Sequence, residues 1–245
     1  MKKLIKTIVV VLLASLLVSP GAFAKSDNAK ESLVAVGDSI PFGLNLGQTN
    51  QNPAKTSYPY LIGKLADLRV RNLGVSGWQS DQLLEALQND QKYRQAIIHS
   101  DYVAVTIGNN DFLAILREAA IESGGNQLAF QQLLAAKLNQ SDVFSNIQQI
   151  ITEIRTLTDS PIVLYNVYNP FQLTDPLHYI VDPLLPDIND AFAGLAFSNE
   201  DVYLADAYTA FGNDQALYVL PGDIHPSNAG QAKLAEIGLD ALGLY

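Results

Sequence analysis

The sequence predicts an α/β fold in which a parallel sheet is covered by helices on both faces. Short apolar, β-branched runs recur along the chain, alternating with longer segments of helical spacing. Three of the runs end at a glycine followed by polar residues: Gly37-Asp38-Ser39, Gly74-Val75-Ser76-Gly77 and Gly108-Asn109-Asn110-Asp111. Continuous apolar strands alternating with helices belong to parallel sheets buried on both sides.

The elements follow in order. Ser32–Val36 is an apolar run ending at Gly37 and reads as a buried strand. A polar, Asn/Gln-rich loop runs from Asn45 to Lys55, and Tyr58–Leu68 then has helical spacing. Val70–Leu73 is the second strand, ending at Gly74, and Asp81–Leu87 is a helix with Leu83, Leu84 and Leu87 on one face. Tyr102–Ile107 is the third strand, ending at Gly108. Phe112–Thr158 is mostly helical, interrupted at Gly124-Gly125, and its last part carries the stripe Val143, Ile147, Ile150, Ile151, Ile154 and Leu157. Ile162–Tyr165 is the fourth strand, Pro170–Pro186 an aromatic and proline-rich loop, and Asp187–Phe197 a helix. Val202–Ala205 is the fifth strand, and Ala229–Leu242 a closing helix capped by Ser227 or Asn228.

The start of the chain stands outside this pattern. Lys2, Lys3 and Lys6 precede Ile8–Val18, which is apolar except for Ser15; Pro20-Gly21 and Ala22-Phe23-Ala24 follow. This is the pattern of a secretory signal peptide cut after Ala24, and the run is shorter than the ~20 residues of a spanning helix. The expectation is an extracellular protein with no stable membrane span: a signal at 1–24, a polar lead-in at 25–30 and one domain at 31–245. Cleavage removes three lysines and no acids, taking the net charge from −10 to −13. An apolar fraction of 48% with 16% charged residues excludes a disordered or collagen-like chain. The acidic balance argues against nucleic acid or an anionic membrane as partner. With no cysteine in the chain, disulfides, thiolate metal sites and cysteine nucleophiles are excluded.

Sites in open α/β sheets lie at the carboxyl ends of the strands. Among the three histidines, His99 ends a helical segment and His178 lies in the proline-rich loop, where it could line a pocket. His225 has an acid two residues before it, in Asp223-Ile224-His225-Pro226. A carboxylate that accepts from one imidazole nitrogen fixes the tautomer and leaves the other nitrogen basic. Such a base needs a nucleophile, and without cysteine serine is the natural one. Ser39 and Ser76 both follow strands beside glycine, and neither lies in a G-x-S-x-G elbow. Gly74 and Asn110, at two other strand ends, are candidate donors to a developing oxyanion. A metallophosphoesterase reading fits Gly37-Asp38 and Gly108-Asn109 only superficially, because position 110 is Asn where a histidine ligand is wanted.

These blocks resemble the GDSL-type, or SGNH, family of serine esterases and lipases. Gly37-Asp38-Ser39-Ile40 is similar to its first block with isoleucine for leucine, and Gly74 to the glycine of the second. Gly108-Asn109-Asn110-Asp111 is similar to the third block, G-x-N-D, and Asp223-Ile224-His225-Pro226 to the last. Tyr58-Pro59-Tyr60-Leu61 also looks like a family segment. The resemblance implies a flavodoxin-like three-layer α/β/α sandwich with a five-stranded parallel sheet. It implies Ser39 as nucleophile, which decides against Ser76, with His225 as base and Asp223 as the acid orienting it. The Ser39 N–H, the Gly74 N–H and the Asn110 amide are then the oxyanion donors, and the chemistry calls for no metal or cofactor. The partner is a small-molecule or lipid ester, with carbohydrate deacetylation or non-catalytic lipid or glycan binding as alternatives. Trp78, Phe171, Leu173, Leu177 and Tyr179 are the candidate substrate-binding residues, and Leu113, Ile115 and Leu116 a further acyl-binding wall.

Overall fold

The computed structural model describes residues 30–47 and 49–244. The expected export signal at 1–24 and the lead-in as far as residue 29 lie outside the described residues.

Five strands, β1 (Ser32–Gly37), β2 (Arg69–Gly74), β3 (Tyr102–Thr106), β4 (Ile162–Tyr165) and β5 (Val202–Ala205), form one sheet in the order β2-β1-β3-β4-β5. Every pair is parallel. The chain winds to one side of β1 to make β2 and returns to its other side to make β3. That reversal leaves a crevice at the carboxyl ends of β1 and β3, where open α/β sheets place their ligands.

Alternation along the strands divides the core in two. Val34, Val36, Val103, Val105, Ile162 and Leu164 face α3 (Ser80–Asn89), α4 (Gln91–Ile98), α7 (Val143–Arg155) and α9 (Leu185–Ser198). Leu33, Ala35, Ala104, Val163 and Tyr165 face α2 (Tyr58–Leu65), α10 (Ala207–Phe211) and α12 (Asn228–Leu242). In α7 the expected stripe from Val143 to Ile154 is buried, with Leu157 packed at its margin. Ser227 caps α12, its Oγ accepting from the Gly230 N–H at 3.2 Å.

The helical stretch after β3 is three helices: α5 (Asn109–Glu122), α6 (Gln127–Gln140) and α7. The first break is at Gly124-Gly125, both at positive φ. The second, at Ser141-Asp142, is set by no glycine or proline. The Pro170–Pro186 segment departs from the expected loop. It contains α8 (Pro176–Val181) and a 3₁₀ turn at Asp182–Leu184. Asp175 starts α8 by accepting from the Leu177 N–H, and Pro176 occupies the first turn, where its missing N–H costs nothing. Two further short helices, α10 and α11 (Gln215–Tyr218), and a single turn, α1 (Ser39–Phe42), complete the described residues.

Candidate active site at the carboxyl edge of the sheet

The site begins where β1 ends. Gly37 has φ +142°, and a Cβ there would stand 1.9 Å from the Thr106 carbonyl oxygen, so only glycine lets the two strand ends meet. Asp38 follows, wholly buried, and caps α1: its Oδ1 accepts from the Ile40 N–H at 2.9 Å. Its Oδ2 accepts from Asn109 Nδ2 at 3.1 Å, and its own N–H donates to the Thr106 carbonyl at 3.2 Å. Burial pushes the Asp38 carboxyl up to about 7, against the pull of those two donors. The turn is also held from behind. Gln231 of α12, fully buried, donates to the Ile40 carbonyl and accepts from the Tyr58 N–H.

His225 arrives on a separate turn. The Leu220 N–H donates to the His225 carbonyl, the Asp223 N–H to the Leu220 carbonyl, and Val219 bridges Pro226. Tyr168, after β4, donates its hydroxyl to the Ile224 carbonyl at 2.8 Å and packs its ring at a tilt against Phe211, centroids 4.5 Å apart. His225 Nε2 lies 3.0 Å from Ser39 Oγ, and Nδ1 lies 2.6 Å from Asp223 Oδ1. In the tautomer with Nδ1 protonated and donating to the carboxylate, Nε2 carries a lone pair free to accept a hydrogen bond from the Ser39 hydroxyl. Burial by itself would raise the Asp223 pKa. The Asn45 amide, the Ile224 N–H and His225 together hold it below the usual carboxylate value.

Ser39 and His225 open on an apolar cleft. Its walls are Phe112, Leu113 and Leu116 of α5, Leu134 and Leu138 of α6, Val181 at the end of α8, and Leu184, Leu185 and Ile188 beyond it. Phe171 lines it, whereas Ile115 packs against the core. Of the other expected substrate residues, Trp78 stacks on Tyr93 at 5.6 Å, and Leu173, Leu177 and Tyr179 are exposed outside the cleft lining. Leu173 lies in the turn before α8, and coiling of the following residues into that helix turns Leu177 and Tyr179 outward and leaves Val181 to face the cleft.

Asn110 lines the cleft from the first turn of α5 and donates Nδ2 to the Trp78 carbonyl at 2.9 Å, leaving the second amide hydrogen. Gly74 is placed differently from the expectation. Its N–H donates to Asn72 Oδ1 at 3.0 Å, and a Cβ there would press on the Phe42 nitrogen and the Asp38 oxygen. Its smallness lets the turn bearing Ser39 rest on β2. Ser76 is exposed in the turn beyond. Asp111 accepts from the Ser80 N–H and hydroxyl and joins the starts of α5 and α3. His178 is buried away from the cleft lining with Nδ1 2.8 Å from the Phe171 carbonyl, and the His99 carbonyl accepts from Ser32. Asn45, Tyr168 and Gln231 have no motif in the sequence that points to them.

The five-stranded parallel α/β sandwich brings Ser39, His225 and Asp223 into one hydrogen-bonded chain at the β1/β3 crevice. The GDSL-like Lipase/Acylhydrolase family model matches residues 35–233, and the chain belongs to that family. It is 29% identical over 228 residues to the uncharacterized protein YpmR of Bacillus subtilis (strain 168), covering 87% of this chain and 82% of that one. Among solved structures it is similar to phospholipase A1 from Streptomyces albidoflavus NA297, with TM-score 0.70, 16% identity and coverage of 87% and 100%. It is likewise similar to the lipase Lip_vut3 from goat rumen metagenome, with TM-score 0.67, 22% identity and coverage of 86% and 97%. A third is Axe2, an acetylxylan esterase from Geobacillus stearothermophilus, with TM-score 0.57, 20% identity and coverage of 87% and 94%. At these identities the structural likeness is one of fold. Among the described residues, no helix is long and apolar enough to cross a membrane.

Asp38 makes stability depend on pH. The unfolded chain releases this proton near the ordinary value of 3.8, the folded chain at about 7. Between those values the folded state binds more of this proton, so the contribution of Asp38 to stability falls as pH rises and levels off above about 7. Asp38→Asn removes the titration and keeps an acceptor for the Ile40 N–H. The slope of Tm against pH between 4 and 7 is expected to become less negative than in the wild type; an unchanged slope would contradict this.

Proposed function

We propose that the protein is an exported carboxylic ester hydrolase that takes esters with an apolar acyl chain and works through an acyl-enzyme on Ser39. One observation carries the reading: the Asp223–His225–Ser39 chain of hydrogen bonds ends in the lining of an apolar cleft. His225 Nε2 takes the Ser39 proton as Oγ attacks the ester carbonyl. Asp223, held ionised, stabilises the imidazolium that forms. The carbonyl oxygen becomes an oxyanion facing the Ser39 N–H and the free hydrogen of the Asn110 amide. Gly74 can join these donors only by exchanging Asn72 for the oxyanion. His225 then gives its proton to the departing alkoxide. Water, deprotonated by the same nitrogen, releases the acid and restores Ser39.

The leucine-rich lining of α5 and α6 favours an acyl chain over an acetyl group, since each buried methylene contributes about 0.8 kcal/mol. The structural neighbours include a lipase, a phospholipase A1 and an acetylxylan esterase, and the apolar cleft inclines this chain to the first two. The basic, apolar and small-residue pattern of residues 1–24 supports export.

Against p-nitrophenyl esters, Ser39→Ala should lose about three orders of magnitude or more in kcat, and Ser76→Ala should match the wild type. Wild-type turnover by Ser39→Ala would overturn the mechanism. The ratio kcat/KM should rise from acetyl to longer acyl chains; a maximum at acetyl would overturn the substrate class. Expressed with its own leader in a Gram-positive host, the protein should accumulate in the medium with Lys25 as its first residue by mass spectrometry. Retention in the cell with residues 1–24 intact would refute export.

A further inference from the structure

We infer that Asn45 is a positioning residue for the reaction: its side-chain amide holds the Asp223 carboxylate, and through it His225, in line with Ser39. The inference rests on the Ser39–His225–Asp223 reading above and adds a residue to it from the polar loop after α1. Asp223 uses Oδ1 for His225 Nδ1 and for the Ile224 N–H. Its other oxygen, Oδ2, accepts from Asn45 Nδ2 at 2.6 Å, across 178 residues of sequence. Gripped at both oxygens, the carboxylate is not free to turn about its Cβ–Cγ bond and swing Oδ1 away from the imidazole. A hydrogen bond to an ionised acceptor is among the stronger ones a side chain makes.

Asn45 is itself held. Its N–H donates to Asn50 Oδ1 at 3.0 Å, and Asn50 Nδ2 donates to Asn45 Oδ1 at 2.9 Å. With that oxygen facing Asn50, the Asn45 NH₂ is left to face Asp223, so the pair of amides sets the direction of the donor. The backbone at Asn45 has φ +66°, the left-handed region that asparagine tolerates better than most non-glycine residues. Glycine would serve that turn as well. What asparagine adds is the amide aimed at the carboxylate. The titratable groups facing Asp223 are His225, bonded to it, and Tyr168, which braces the same turn through the Ile224 carbonyl.

The test separates the backbone role from the side-chain role. Asn45→Gly keeps the left-handed turn and removes the donor; Asn45→Asp keeps the shape and sets an acceptor against an acceptor. With p-nitrophenyl butyrate, Asn45→Gly should lower kcat roughly 10- to 100-fold, the scale of one hydrogen bond to a charged group, with KM and Tm unchanged. Asn45→Asp should fall lower still. In an Asp223→Ala background, Asn45→Gly should cost nothing more, because its effect passes through that carboxylate. Wild-type kcat in Asn45→Gly, or an equal loss in the Asp223→Ala background, would overturn the inference. Wild-type activity in Asp223→Ala alone would instead overturn the triad reading on which it rests.

Discussion

A wholly buried carboxylate at the end of the first strand holds the site together. Asp38 accepts from the Ile40 N–H on its own turn and from Asn109 on the turn after β3. It thereby joins the two strand ends that flank the crevice, the one bearing Ser39 and the one bearing Asn110. The cost is desolvation of an acid, visible in its raised pKa. Everything else approaches this fixed point. Gly37 brings β1 against Thr106, Gly74 leaves room for the turn to rest on β2, and Gln231 ties it to α12.

The second half of the site is built independently and delivered across the fold. Asp223 and His225 sit on a turn between Val219 and Pro226, braced by Tyr168 from the end of β4 and by Asn45 from the loop after α1. Polar contacts set the direction of each reacting atom, while α5, α6 and the segment after α8 supply an apolar wall. The division is physical. Directional hydrogen bonds fix positions to tenths of an ångström, whereas burial of apolar surface scales with area and tolerates variation in shape.

Much of this was legible in the residues. The strands β1, β3 and β4 stand out because each is buried on both faces and reads as an almost unbroken apolar run, whereas the edge strands β2 and β5 are partly exposed and are marked by their place between helical segments. Ser39, Asp223 and His225 stand out because their chemistry is packed into short local motifs. What escaped has a common cause. The helix α4, QKYRQAII, buries only Tyr93, Ala96 and Ile97 and shows no continuous stripe. The helix α8 hides in a proline-rich segment, although Asp175-Pro176 is a helix start, and its coiling turns Leu177 and Tyr179 away from the cleft. Gly74 carries a family-like position, yet its N–H is taken by a neighbour two residues away. Asn45 and Gln231 act across 178 and 191 residues, and no spacing in one sequence announces such a contact.

The claim on which the account turns is that one serine, activated by His225, is the nucleophile. Labelling with a serine-directed fluorophosphonate followed by peptide mass mapping tests it directly. One adduct per chain is expected, on the peptide carrying Ser39, and it should disappear in His225→Ala. An adduct on Ser76, or full esterase activity after treatment with no adduct on Ser39, would contradict it.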